Sequence, residues 1–154
     1  MLVRTLPKLD RAAIAAKIPH GGRMCLLERV LHWDADGIRC VALSHRDFDN
    51  PLREAGGLPV WAAIEYAAQA AAVHGALREA HAAPRAGVLA ALRNIETHIE
   101  WLDRVDGELL LGATLLHSDA AGGIYRFQAS ADERLLISGQ FTLMFRVPAA
   151  GGAA

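Results

Sequence analysis

Residues 60–82 read VWAAIEYAAQAAAVHGALREAHA, and the reading of this stretch decides the fold. It begins just after Pro59 and ends before APRAG, which are start and stop signals for a helix. Its residues are mainly alanine, with Gly75 among them, so other backbone can come close to it on nearly every side. That suits a helix wrapped by a curved sheet better than one lying on a flat surface. Against this background Glu65 and Gln69 stand four residues apart and share a face with Ala62, Ala72 and Ala76. Two effects compete for the charge of Glu65: burial favours the neutral acid, and the nearby helix N-terminus favours the carboxylate. A plainer reading puts Glu65 in solvent, on a short polar stripe with Tyr66, Gln69 and Arg78. Its weakness is that the helix has few polar positions with which to expose much surface.

Outward from the helix the elements fall in a clear order. LDRAAIAAKI (9–18) predicts a short helix with Asp10 as N-cap, stopped before Pro19. MCLLERVLHW and IRCVALS predict two strands joined at the turn DADG (34–37). After the long helix come four predicted strands at about 86–99, 108–117, 123–131 and 134–147, separated by RVDG, DAAGG and ADER. PAAGGAA reads as a tail, disordered over 148–154, so residues 1–147 are expected to form a single domain.

If residue i pairs with 71 − i across DADG, Cys25 faces Arg46 and Cys40 faces Leu31, so the two cysteines do not meet in a disulfide. Neither has metal-ligand spacing to another cysteine or histidine.

Composition narrows the function. Of the 154 residues, 53% are hydrophobic and 21% charged, with a net charge of −1. That is a globular composition, with nothing to favour nucleic acid or a membrane surface. Glu65, Gln69, His74 and Arg78 interrupt the longest apolar stretch, so no membrane span is expected. MLVRTLPKLDR lacks the apolar run and cleavage site of a signal peptide, and the cytoplasm is the expected compartment. No metal-binding histidine pattern, glycine-rich phosphate loop or G-x-S-x-G elbow is present, so neither metal nor cofactor is expected.

IPHGG (18–22) is the other stretch that draws notice. Pro19 fixes its own φ, and Gly21 and Gly22 open conformations closed to other residues, so His20 sits in a shaped turn. The bland alternative is a loop histidine that happens to precede a strand. His74, by contrast, reads as a core or interface histidine.

LDRAAIAAKIPHGGRMCLLERVL resembles the opening of the 3-hydroxyacyl-acyl-carrier-protein dehydratases, and LPVWAAIEYAAQAAAVHGAL resembles their central helix. GGLPVW and IEYAAQAAAVHG are most like the dehydratase-like group associated with aryl polyene biosynthesis. The resemblance implies an α+β hotdog fold, an antiparallel sheet wrapped around one long central helix, working as a homodimer, a hotdog heterodimer or a higher oligomer. It implies His20 and Glu65 as the catalytic pair, meeting across the dimer, and Gln69 as a holder of Glu65 or substrate. The substrate would be a 3-hydroxyacyl group on the phosphopantetheine of an acyl carrier protein, dehydrated to the trans-2-enoyl thioester. Neutral His20 suits the base that removes the α-proton, and a protonated or hydrogen-bonded Glu65 suits the departing hydroxyl.

One departure affects the oxyanion donors. The family has glycine after the helix-leading proline, where this chain has Val60 followed by Trp61. Gly56 and Gly57 are then the expected replacement donors, and Arg23, Arg53 and Arg85 are candidates for meeting an acidic carrier. Two alternatives stay open: a hotdog thioesterase using Glu65, and a non-catalytic carrier-binding subunit paired with an active hotdog partner.

Overall fold

The computed structural model describes residues 9–18, 22–79 and 87–145. The turn holding His20, the segment holding Arg85 and the 148–154 tail lie outside the described residues, as does the Arg23 side chain. A short helix, α1 (Arg11–Ala15), opens with the Asp10 carboxylate accepting the Ala13 N–H at 3.0 Å, the expected cap. Then come strands β1 (Arg29–Trp33) and β2 (Gly37–Ala42), the long helix α2 (Ala62–Arg78), and strands β3 (Gly87–Thr97), β4 (Leu109–Asp119), β5 (Gly122–Ala131) and β6 (Arg134–Phe145).

The six strands form one antiparallel sheet in the order β1-β2-β4-β5-β6-β3. Period-two alternation sends Ile38, Cys40, Leu111, Ala113, Phe127, Ala129, Phe141 and Leu143 inward, and all are buried. Against them lies α2, with Ala63, Tyr66, Ala67, Ala70, Ala71 and His74 fully buried. Methyl-sized side chains let the sheet close around the helix, and the stacked Tyr125 and Phe141 rings (5.9 Å) fill the space beneath. This is the hotdog arrangement. No helix among the described residues is long and apolar enough to cross a membrane.

Two expectations need correction. The strand expected from Met24 begins only at Arg29. Gly22–Met24 is a 3-10 turn, residues 25–27 run outside the sheet with the Leu26 backbone bonded elsewhere, as described below, and the chain rejoins β2 at Glu28, whose N–H donates to the Val41 carbonyl at 2.8 Å. The 71 − i register holds next to the DADG turn, where His32 faces Arg39 and Trp33 faces Ile38. A bulge at Leu31 then shifts the ladder, so Cys40 faces Val30 and Cys25 faces no strand residue. Both cysteines are free and buried.

Candidate active site

The helix α2 is covered except along one stripe, and Glu65 stands on it. Trp61 and Glu65 are exposed, Ala72 is half-buried, and Ala68 on the same stripe is just covered. The plainer reading of Glu65 therefore describes the isolated chain: its carboxyl meets solvent, although the stripe is apolar apart from Glu65 itself. Glu65 opens into a cleft of about 360 Å³ whose other lining includes Met24, Leu26, Leu52, Gln69, Ala68 and Leu143. A carboxyl set in a mostly apolar cleft becomes desolvated once a partner or an acyl chain fills the rest.

Gln69 faces the same cleft but is committed elsewhere. Its amide oxygen accepts the Leu26 N–H at 2.9 Å, and its amide nitrogen donates to the Met24 carbonyl. Neither end is bonded to Glu65 in this chain, so of the two roles expected for Gln69, holding Glu65 or holding substrate, the first is not seen here. The physical reason is that Met24–Leu26 has left the sheet, and buried backbone groups without ladder partners must bond to something. Tyr66 helps in the same task. Ser44 Oγ donates to the Leu26 carbonyl at 2.8 Å, so the proton between Ser44 and Tyr66 (2.7 Å) comes from the tyrosine hydroxyl. Asn50 Nδ2 donates to that hydroxyl and to the Ser44 carbonyl, both at 2.9 Å. Burial raises the Tyr66 pKa against the opposing effect of these hydrogen bonds, keeping the phenol neutral.

The chain ahead of α2 has its own logic. A Cβ on Gly56 would lie 2.5 Å from the Trp101 ring, and one on Gly57 would lie 2.8 Å from the Asp103 carboxylate. Gly57 also has φ of 128°, open to few other residues. Both glycines are thus explained by packing, and the Gly57 N–H donates to the Glu54 carbonyl at 3.1 Å. The Val60 N–H donates to the Glu100 carbonyl at 3.0 Å. Neither of these amides is free to receive a thioester oxygen. The N–H groups of Ala62, Ala63 and Ile64 are bonded back to residues 59–61. That leaves, among the described residues, the Gly56 N–H and the Trp61 N–H, the latter one helical turn before Glu65, without an acceptor. Arg53 is occupied as well: it pairs with Asp103 at 3.3 Å and lies over the Phe48 ring.

Among the described residues, no histidine lines the Glu65 cleft. His74 is a core residue as expected, bonded to the Tyr125 hydroxyl (2.9 Å) and the Asp34 carbonyl (2.7 Å). His45 is fully buried, with Nε2 donating to the Val105 carbonyl at 3.0 Å and Nδ1 unpartnered. Burial lowers the pKa of both rings. The expected meeting of His20 with Glu65 falls on the turn outside the described residues. Met24 and Leu26, a few residues beyond that turn, do line the Glu65 cleft of the same chain.

Sequence reasoning passed over Ser44 and Asn50, and the polar stripe that would have put Tyr66 and Gln69 in solvent is not formed, since both are buried. The available signal was a tyrosine in an alanine-rich buried helix, since a buried phenol needs a partner for its hydroxyl.

Comparison with known proteins agrees with this geometry. Residues 12–148 match the ApeP-like family, described as ApeP dehydratase. The chain belongs to the ApeP-like dehydratase family. It is similar to a chain of the dehydratase heterocomplex ApeI:P from Xenorhabdus doucetiae, with 25% identity and a TM-score of 0.77 over 87% of this chain and 91% of that one. A thioesterase from Pseudomonas aeruginosa matches at 13% identity and a TM-score of 0.55, covering 76% of this chain and 79% of that one. A thioesterase from Haemophilus influenzae matches at 14% and 0.53, covering 77% of each chain. The two thioesterases show the fold alone. Among curated proteins no match was found.

Proposed function

We propose that this dehydratase-family chain removes water from a 3-hydroxyacyl thioester carried on the phosphopantetheine of an acyl carrier protein, giving the trans-2-enoyl thioester. Its setting is fatty acid, polyketide or aryl polyene biosynthesis in the cytoplasm. The observation that carries the reading is Glu65: among the described residues the one charged side chain in a cleft of mostly apolar walls, set on the exposed stripe of an otherwise covered helix. In this reading the Glu65 carboxyl is the group that assists the leaving hydroxyl. His20 supplies the base that takes the α-proton. The Trp61 N–H, one turn away at the start of the helix, receives the thioester oxygen as negative charge develops there.

The working unit in this proposal is a heterodimer with a second hotdog chain, as the likeness to a heterocomplex suggests. Support comes from β3, an edge strand that among the described residues pairs only with β6. Leu92 lies opposite Phe141 on its helix-facing side, yet is 49% exposed. An apolar residue on an open edge strand beside an open helix stripe is a surface for a second subunit. The same enclosure would bury Glu65.

The test is incubation of the purified chain, alone and assembled with its hotdog partner, with a 3-hydroxyacyl carrier-protein thioester. Enoyl product from the assembly supports the reading. Free acid would make the protein a thioesterase. Product that survives removal of both His20 and Glu65 would make this chain a non-catalytic subunit.

A further inference from the structure

The wall of the cleft facing Glu65 is held in an unusual way. Met24–Leu27 forms no ladder pair with any strand, and β1 begins only at Arg29. What holds this wall is side chains: Gln69 on Met24 and Leu26, and Ser44 on the Leu26 carbonyl. Ser44 is in turn fixed by Tyr66, and Tyr66 by Asn50. Glu65, Tyr66 and Gln69 occupy little more than one turn of α2, so the turn that carries the carboxyl also ties down the wall across from it.

We propose that Tyr66 and Ser44 are positioning residues of the dehydration site, setting the Met24–Leu26 wall of the cleft against Glu65. The proposal rests on the dehydratase reading for its catalytic consequence, but the latch itself is independent of it. The hydroxyls form one chain of bonds running from Tyr66 through Ser44 to the Leu26 carbonyl. Losing the Ser44 hydroxyl frees this carbonyl directly, and losing the Tyr66 hydroxyl frees it by leaving the Ser44 hydroxyl without the bond that orients it. Because this wall has no ladder bonds to fall back on, the release is local rather than global. A displacement of about 1 Å at a reacting group is enough to cost up to about a hundredfold in rate.

Cys25 gives a readout that needs no activity. It lies inside the latched segment and is 1% exposed, whereas Cys40 is 0% exposed on β2, in the middle of the ladder. The experiment compares wild type, Tyr66→Phe, Ser44→Ala, the double variant and Ser44→Thr, each assembled with its partner. Two quantities are measured: the labelling rate of each thiol by an aromatic disulfide reagent, mapped by mass spectrometry, and kcat per folded site.

The expected result is Cys25 labelling faster by at least about tenfold in Tyr66→Phe and Ser44→Ala, with Cys40 unchanged. In the same variants kcat falls by about tenfold, the double variant is no worse than either single one, and Ser44→Thr recovers most of the loss. Cys25 and Cys40 labelling rising together, or neither rising, overturns the latch. Faster Cys25 labelling with unchanged kcat in an active assembly overturns the positioning role. Absence of dehydration in the wild-type assembly overturns the proposed function and the positioning role that depends on it, while the thiols still decide the latch.

Discussion

Gln69 joins Leu26 across 43 positions of sequence, accepting its N–H at 2.9 Å while donating to the carbonyl of Met24. One planar amide thus satisfies a donor and an acceptor of a chain segment that has no strand partner. Gln69→Leu keeps the side-chain volume but leaves both backbone groups unpaired, at roughly 1–3 kcal/mol for each one that water cannot reach. We expect unfolding in urea to show a loss of about 2 kcal/mol or more. An unchanged unfolding free energy would mean that these bonds contribute nothing to holding the segment.

The glycines separate into two kinds. At Gly57 a side chain meets the Asp103 carboxylate at 2.8 Å and the backbone has φ of 128°, so Gly57→Ala should destabilise clearly. At Gly75 in α2 an added methyl meets only the Phe145 ring, at 3.5 Å, an ordinary contact. Gly75→Ala should therefore stabilise by about 0.5–1 kcal/mol, the usual helix preference. Thermal melting of the two variants checks both signs, and a destabilised Gly75→Ala would show that the helix is packed more tightly there than the distances indicate.

Two buried histidines predict the response to acid. Burial holds the pKa of His74 and of His45 below the ordinary 6.5. In this window the unfolded chain binds protons that the folded chain does not. The contribution of the neutral rings is complete above pH 6.5 and is lost as the pH falls from there through the folded-state values. Unfolding free energy measured between about pH 7.5 and 5.5, above the range where ordinary carboxylates titrate, should decline on acidification. A flat profile across that window would contradict the burial of the two rings as neutral groups.

Much of this architecture is legible in the sequence, and the reasons differ by element. Pro59, the alanine run and APRAG mark α2 because each acts locally on the backbone. The four later strands are legible because turn residues punctuate alternating runs. The MCLL stretch (24–27) is not, since its apolar character suits a strand, while the partners of its Met24 and Leu26 backbone are Gln69 and Ser44, distant side chains that no local pattern announces. The bulge at Leu31 is hidden for a related reason: a tight turn fixes the register only beside itself. Within the site, Glu65 and Gln69 are legible as a pair from their spacing, but their division of labour is not. Helical periodicity places two side chains on one face without saying which of them a crossing segment will engage.

The exposed edge predicts assembly. Leu92 faces the helix side of the sheet and remains 49% exposed. Leu92→Glu should leave the fold of the single chain intact and weaken its association with the hotdog partner by at least about tenfold, as read by sedimentation at several concentrations. Association as tight as wild type would place the interface elsewhere.

The central claim is that Glu65 does chemistry in a dehydratase site, and its replacement by glutamine tests that claim most directly. Glu65→Gln keeps the size and hydrogen-bonding reach of the side chain while removing the acid, and an exposed position makes it harmless to folding. The measurement is single-turnover conversion of a 3-hydroxyacyl carrier-protein thioester to the enoyl product by the assembled enzyme, followed by the mass of the acyl group. We predict a rate lower by at least about a hundredfold, the scale of a lost general acid, with assembly and stability unchanged. A Glu65→Gln enzyme that dehydrates at the wild-type rate would contradict the account.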